Sequence, residues 1–268
     1  MKIRFWGVRG SAPTPGPKTS RIGGNTSCVE VSAGCGETII FDAGTGIREM
    51  GLNYFTRPAP PKRLHLFLSH FHWDHIQGFP FFGPAFLGDV RIDIYGAPGV
   101  EGFLAAQMSA PFFPVSLADM KSEKAFHELN GAAMEFGGCS VIPVPLSHPQ
   151  SSYGFVLMEN GVKAVYSSDT EYVAGGNHET FVEMIRDADI LMFDAQYTPE
   201  QYNKGRVGWG HSTFEAAAEI VKKAGVKKLV LFHHEPTHDD DAVEEIERRA
   251  RELFPDTVAA REGMTIEI

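Results

Sequence analysis

Three histidines and an aspartate stand within six residues at the end of an apolar segment, and this cluster constrains the fold most. The segment LHLFLS at 64–69 alternates leucines with a period of two, which predicts a β-strand. It leads directly into His70, His72, Asp74 and His75. Imidazole is the commonest metal ligand near neutral pH. The cluster therefore predicts a metal site at a strand end. Because four side chains at this spacing do not fit comfortably around one ion, it favours two adjacent sites.

A solvated histidine-rich loop is the alternative, and residues further along the chain argue against it. Other metal-binding side chains also follow predicted strands. They are His148 after VIPVPLS, Asp169 after AVYSS, His211 in GWGHST, and His233 and His234 after KKLVLF. Each of them alone would be an ordinary surface or hydrogen-bonded residue, but together they predict one ligand-bearing rim of a sheet.

The order of the predicted elements indicates an α/β fold. Strand-like runs lie at 2–8, 27–33, 37–42, 64–69, 90–96, 140–146, 153–159, 163–169, 189–195 and 227–234. Helical patterns lie at 99–108, 178–187, 212–224 and 239–253. Helices interspersed among strands predict sheets with helices packed on the outside. At 268 residues and 43% apolar composition, we expect one domain over residues 1–268.

Charge and terminal composition restrict the partners. The 34 acidic and 24 basic residues give a net charge of −10, which argues against a protein that grips long nucleic acid but not against a small anionic substrate. The N-terminus has no apolar stretch typical of a signal peptide, and no apolar run is long enough to span a membrane. The three cysteines form no Cys-x-x-Cys, so we expect reduced thiols in a cytoplasmic protein without a membrane partner, a Cys28–Cys35 bridge being the alternative.

The ordered pattern HxHxDH, then His, Asp and His, resembles the metallo-β-lactamase superfamily. The opening FWGVRGSAPTPG with GGNTSC resembles its phosphodiesterase branch, which includes tRNA 3′-processing endonucleases and cyclic-nucleotide phosphodiesterases. FDAGTG at 41–46 resembles the DxG turn beside the metals. The resemblance implies an α/β four-layer αβ/βα sandwich with two divalent metal ions at one edge, zinc first, with manganese or iron as alternatives.

The resemblance also implies a set of ligands. His70, His72 and His148 would hold the first ion, Asp74, His75 and His233 the second, and Asp169 would bridge both. His233 matches the last position better than His234, because it follows the strand directly. Asp42 would orient the ligand loop through hydrogen bonds. His72 stands where the redox di-iron relatives carry glutamate, which favours hydrolysis over electron transfer.

GWGHST resembles the HST motif of the phosphodiesterase branch. This implies that His211 protonates the leaving group and that Asp194 orients it, with the ligand Asp74 completing the catalytic set. The alternative for His211 is a histidine at a helix N-terminus that Ser212 or Thr213 caps.

The interval between His148 and Asp169 restricts the substrate. Its 20 residues accommodate two strands but not the tRNA-gripping arm of the processing enzymes. We therefore expect a dinuclear phosphodiesterase for a small phosphodiester, a cyclic nucleotide first. The alternatives are another cyclic phosphate, a lactone or a thioester as substrate, or a metal-bound sensor without turnover. The many phenylalanines after the metal motif predict core packing or a homodimer interface, the alternative being an apolar wall that stacks on a base.

Overall fold

The structure is a computed structural model that describes residues 1–173 and 178–268. Two sheets of seven strands each form the framework of this part of the chain. The first sheet contains, in spatial order, β14 (Thr265–Glu267), β1 (Lys2–Gly7), β2 (Cys28–Ser32), β3 (Thr38–Phe41), β4 (Arg63–Phe67), β5 (Arg91–Gly96) and β6 (Glu123–Glu128). The second contains β13 (Thr257–Ala259), β12 (Leu229–Phe232), β11 (Ile190–Asp194), β10 (Val162–Ser167), β9 (Ser152–Glu159), β8 (Cys139–Leu146) and β7 (Met134–Phe136).

Helices cover the outer face of each sheet. The α-helices of the described residues are α1 (Gly46–Tyr54), α2 (Trp73–Ile76), α3 (Val100–Gln107), α4 (Glu179–Ile185), α5 (Pro199–Asn203), α6 (Phe214–Ala224) and α7 (Asp240–Leu253). Apolar residues of α1 and α3 pack on the first sheet, and those of α4, α6 and α7 pack on the second. The predicted four-layer α/β sandwich is therefore confirmed.

The main core lies between the two sheets. Strand alternation puts Ile39 and Phe41 into this layer, while Ile40 faces the helices on the other side. The ring of Phe41 stacks on Phe155 and Tyr166 of the opposite sheet at centroid distances of 5.4 and 5.2 Å. These aromatic contacts hold the sheets face to face.

Parallel pairing brings the ends of several strands to one edge. The strands β3, β4 and β5 run parallel, as do β10, β11 and β12. Asp42, Asp169 and His233 lie just beyond β3, β10 and β12, with left-handed φ angles of 61°, 54° and 62°. Such a conformation costs a non-glycine residue about 1–3 kcal/mol and clusters at functional sites. The backbone is therefore strained where the predicted site lies.

The cysteines and the described helices can be compared with the expectations from the sequence. Cys28, Cys35 and Cys139 are all free thiols, so the alternative Cys28–Cys35 bridge is not formed. Among the described helices, none has the length and apolar character to cross a membrane.

A buried carboxylate fixes α1 to the outer face of the first sheet. Glu30 of β2 is 3% exposed and accepts a hydrogen bond from Trp6 Nε1 at 2.9 Å. Arg57, which follows α1, donates to both Glu30 oxygens at 2.6 and 2.8 Å. The arginine therefore neutralises a charge that the fold withdraws from water.

Arg57→Ala is expected to lower the free energy of unfolding by about 3 kcal/mol, because it leaves the Glu30 carboxylate buried without its counter-charge. Urea denaturation measures the change. The control is Arg48→Ala on α1, whose partner Glu49 is solvent-accessible, and the expected loss there is below about 1 kcal/mol. Equal losses in the two variants would contradict the prediction.

Candidate metal centre

The first group of candidate ligands combines the histidine-rich motif with two loops of the second sheet. His70 and His72 follow β4, His148 follows β8, and Asp169 follows β10. One ligand atom from each lies within 4.8 Å of those of the others. The ring of His70 is 4.4 Å from that of His72 and 5.1 Å from that of His148, between centroids.

The second group is deeper and shares Asp169 with the first. It consists of Asp74 and His75 on α2, His233 after β12, and Asp169. His75 Nε2 lies 3.3 Å from His233 Nε2, 3.3 Å from Asp74 Oδ2 and 3.0 Å from Asp169 Oδ2. The structure thus brings all seven predicted ligands together in two groups, while their role as ligands stays a prediction.

The donor atoms of these groups fit a divalent cation. His70 Nε2 and His148 Nε2 are buried and have no hydrogen-bond partner among the described residues. Burial beside His75 lowers the pKa of His70 well below its usual value, which keeps the ring in the neutral form that binds metals. Nitrogen and carboxylate donors without thiolate suit zinc, manganese or iron. A cation would satisfy both the bare nitrogens and the converging carboxylates.

Asp42 holds the second group in place through hydrogen bonds to His75 and to its surroundings. Its carboxylate accepts hydrogen bonds from Ser69 N at 2.8 Å, Ser69 Oγ at 2.9 Å and Tyr166 OH at 2.7 Å. His75 Nδ1 lies 2.7 Å from Asp42 Oδ2 and donates to it. This bond fixes the ring so that Nε2 is directed at the other members of its group. The orienting role predicted for Asp42 agrees with this geometry.

The choice between the two last histidines is clear from their partners. His234 Nε2 lies 3.0 Å from Ala260 O, and burial lowers the pKa of this ring to about 3. His234 therefore belongs to the loop packing and not to the ligand groups. His233 Nδ1 lies 3.0 Å from Gln196 Oε1, which leaves Nε2 facing Asp74 and Asp169.

His211 and Asp194 form a buried pair beside both groups. His211 Nδ1 lies 2.7 Å from Asp194 Oδ2, and its ring centroid is 5.0 Å from that of His233. Burial alone would lower the pKa of His211, but the Asp194 carboxylate overcomes this effect and raises it to about 9. Together with Asp169 and His233, this pair also lies close enough to hold an ion. However, His211 Nδ1 carries the proton that it donates to Asp194, so this nitrogen is not free to bind a metal.

Sequence reasoning missed two residues of the site. Tyr166 occupies a position on β10 that reads as ordinary core, and Gln196 follows Asp194 in FDAQY. Besides accepting from His233, Gln196 donates to Glu235 Oε2 at 2.8 Å. The only sequence signal for Gln196 was its position two residues after Asp194, and Tyr166 carried no signal.

The site opens into a cavity of about 430 Å³. Its wall consists of Ser11, Phe71, His72, Trp73, Asp74, Asp169 and His211. Phe71 and Trp73 also border a neighbouring apolar cavity of about 510 Å³, which Phe81, Phe103, Phe112 and Phe113 help to line. Phe79 and Phe82, in contrast, are fully buried in the core. The phenylalanines after the metal motif are therefore divided between core packing and an exposed aromatic surface.

Comparison with known proteins connects this geometry with a family. A model described as beta-lactamase superfamily domain matches residues 37–234. Ribonuclease Z of Pyrococcus horikoshii is 26% identical over 316 residues, covering 98% of this chain and 94% of the relative. A diphosphatase from the PhnP family has a TM-score of 0.76 at 21% identity, covering 100% of this chain and 97% of the other. The short form of human tRNase Z has a TM-score of 0.72 at 22% identity, covering 100% and 99%.

These structural neighbours share the sandwich, and the family match covers more than half of the chain, including the whole histidine-rich motif. The chain therefore belongs to the beta-lactamase superfamily and is a metal-dependent hydrolase.

Proposed function

We propose that the chain is a dinuclear phosphodiesterase for a small phosphodiester such as a cyclic nucleotide, and that residues 1–268 form its single domain. One observation carries the proposal: two ligand groups that share Asp169 lie beside the His211–Asp194 pair along one cavity. The first ion would be held by His70, His72, His148 and Asp169, and the second by Asp74, His75, His233 and Asp169. Zinc is the expected metal, with manganese or iron as alternatives.

Divalent ions bound there would lower the pKa of water from about 15.7 to roughly 7 and offset negative charge on a phosphate. His211 Nδ1 is bonded to Asp194, so Nε2 is the nitrogen that donates a proton to the leaving oxygen. Asp194 fixes the ring and stabilises its charged form. Asp74 lies on the cavity wall, and its Oδ2 accepts a hydrogen bond from Ser11 N at 2.7 Å, which holds the carboxylate towards His233.

The proposed substrate is small because the described interval between His148 and Asp169 contains no arm that could grip a large one. The interval after His148 is occupied by β9 and β10, which pair as a hairpin with Glu159 opposite Val162. The relative from Pyrococcus horikoshii aligns over 316 residues, more than the 268 of this chain, so it contains segments that this chain lacks. The net charge of −10 also disfavours a long polyanion.

Processing of precursor tRNA is the second candidate, because the curated relatives include ribonuclease Z. A substrate panel under zinc, manganese and iron separates the two functions. It contains bis(p-nitrophenyl) phosphate, 2′,3′- and 3′,5′-cyclic nucleotides, and a precursor tRNA with a 3′ trailer. Hydrolysis of a cyclic nucleotide without trailer removal supports the proposal. Efficient trailer removal at physiological salt would overturn it, and bound metal without hydrolysis of any substrate would indicate a sensor.

Asp169→Ala is expected to remove both metal ions, because this carboxylate belongs to both ligand groups. His70→Ala is expected to remove one ion, since His70 belongs only to the first group. Elemental analysis of reconstituted protein measures the stoichiometry. Asp89→Ala, at an exposed partner of Lys62, is the control and should keep the full metal content. Saturation of the unaltered protein with a single ion would contradict the two-ion proposal.

Asp42→Asn is expected to weaken metal binding by about 10–100-fold, because an amide cannot accept all the hydrogen bonds that orient Ser69 and His75. Competition with a chromophoric chelator measures the dissociation constants. Tyr166→Phe removes only one of the donors to Asp42 and should have a smaller effect. Unchanged affinity in folded Asp42→Asn protein would show that the carboxylate does not orient the ligands.

His211→Ala is expected to lower kcat by about 10²–10⁴-fold for a substrate with an alkoxide leaving group, because that group needs a proton. The loss should be much smaller for bis(p-nitrophenyl) phosphate, whose phenolate leaves without protonation. Asp194→Asn should show the same order with a milder effect, and metal content should not change in either variant. Loss of an ion from His211→Ala would identify His211 as a ligand, and equal slowing of both substrates would identify a structural role.

A further inference from the structure

We propose that Glu171 is a positioning residue for the reaction: through the backbone of residues 208–210 it sets both the orientation of His148 and the position of His211. The inference rests on the proposed function, because it takes His148 as a ligand and His211 as the proton donor. Glu171 follows the shared ligand Asp169 by two positions and is 8% exposed. Neither residue pattern nor family resemblance assigns it a role.

The carboxylate of Glu171 binds three donors from the segment that precedes His211. Gly208 N donates to Oε1 at 2.7 Å, and Gly210 N donates to Oε2 at 2.9 Å. The hydroxyl of Tyr202, on α5, donates to Oε1 as well. Both oxygens of one buried side chain therefore hold a glycine-rich loop at two backbone positions.

The bonded loop in turn orients a candidate metal ligand. The carbonyl oxygen of Gly210 lies 3.1 Å from His148 Nδ1 and accepts its proton. This fixes the tautomer in which His148 Nε2 carries no hydrogen, and that nitrogen is the buried atom without a partner among the described residues. Gly210 has a φ of +87°, and a Cβ there would lie 2.2 Å from His148 Nδ1. The backbone thus approaches the imidazole as closely as only glycine allows.

The same contacts place His211, which is the next residue after Gly210. On its other side, Ser212 Oγ donates to Thr170 O at 2.6 Å and accepts from Tyr172 N at 2.8 Å. Thr170 and Tyr172 flank Glu171 in the sequence. The backbone N of Glu171 also donates to Ser147 O at 2.7 Å, next to His148. Glu171 therefore lies at the junction of three loops, which carry His148, Asp169 and His211.

The chemistry of the junction requires a carboxylate. Two N–H groups and one hydroxyl converge on the side chain, and an ionised carboxylate only accepts hydrogen bonds. An amide of the same shape would turn its NH₂ group towards one of the two glycine N–H groups. Glu171→Gln consequently preserves the packing of the side chain but removes one of its two hydrogen bonds to the glycine N–H groups of the loop.

The test compares zinc binding and kinetics in the full-length protein and in single variants. Chelator competition gives the dissociation constant of each Zn²⁺, and hydrolysis of 3′,5′-cyclic AMP and bis(p-nitrophenyl) phosphate gives kcat and KM. Glu171→Gln is expected to raise the dissociation constant of one of the two zinc ions by about tenfold and to leave that of the other unchanged. It should also lower kcat for the alkoxide leaving group more than for p-nitrophenolate.

Two further variants serve as matched controls. Tyr202→Phe retains both glycine bonds to Glu171, so its effect should be smaller than that of Glu171→Gln. Glu183→Gln, at an exposed glutamate on α4, should behave as the unaltered protein. If Glu171→Gln does not fold, Glu171→Asp keeps the charge but shortens the side chain, and it should show the same loss at one zinc ion.

The proposal would be overturned if a folded Glu171 variant bound both zinc ions as tightly as the unaltered protein does. This holds whether or not the melting temperature falls, because a residue that only stabilises the fold does not change the orientation of His148. The zinc titration needs no turnover. If the unaltered protein hydrolyses none of the phosphodiesters, the proposed function fails, while the titration still decides the orientation of His148.

Discussion

The buried carboxylate of Asp42 is the interaction on which the site depends. It follows β3 and is bonded to Ser69 after β4, to His75 on α2, and to Tyr166 on the opposite sheet. A charged group without exposure to water is strongly destabilising unless its hydrogen bonds are made. Both sheets and α2 must therefore have their observed relative positions before this group is satisfied. The same condition places His75, and with it the deeper ligand group.

Strand direction explains why residues distant in sequence meet at this point. Parallel strands end at the same edge, and the residues that follow them turn sharply through the left-handed conformations of Asp42, Asp169 and His233. Packing on every side stabilises these turns. Gly10 illustrates how tight the packing is, because a Cβ there would lie 2.5 Å from the His233 ring. Three of the left-handed residues of the described chain are thus positions whose side chains point back over the sheet edge.

The predictions from sequence succeeded where one residue type has one dominant chemistry. Histidines and aspartates after apolar strands predicted the rim, and the amphipathic α6 and α7 were predicted as well. The strand β6 was missed, because it lies at a sheet edge and its sequence EKAFHE is polar. The helix α1 was missed as well, since glycine at Gly46 and Gly51 obscures its pattern. Tyr166 could not be predicted, because its hydroxyl matters only once the second sheet is packed against the first.

The two ligand groups differ in how deeply their members are buried. In the deeper group all four members are buried, whereas His72 and His148 of the first group are only partly so. His72 borders the open cavity, and His211 stands 5.5 Å from His148 between ring centroids, also on the cavity wall.

The groups differ in charge as well. Asp42, Asp74 and Asp169 surround His75, whereas Asp169 is the only carboxylate among the four members of the first group. The ring of His148 is oriented by the neutral carbonyl of Gly210, and that of His75 by a carboxylate, which raises the basicity of the ligand nitrogen. The deeper group therefore offers a cation the more negative environment. His72 of the first group and Asp74 of the deeper group both line the cavity beside His211, so a substrate there would lie against both groups.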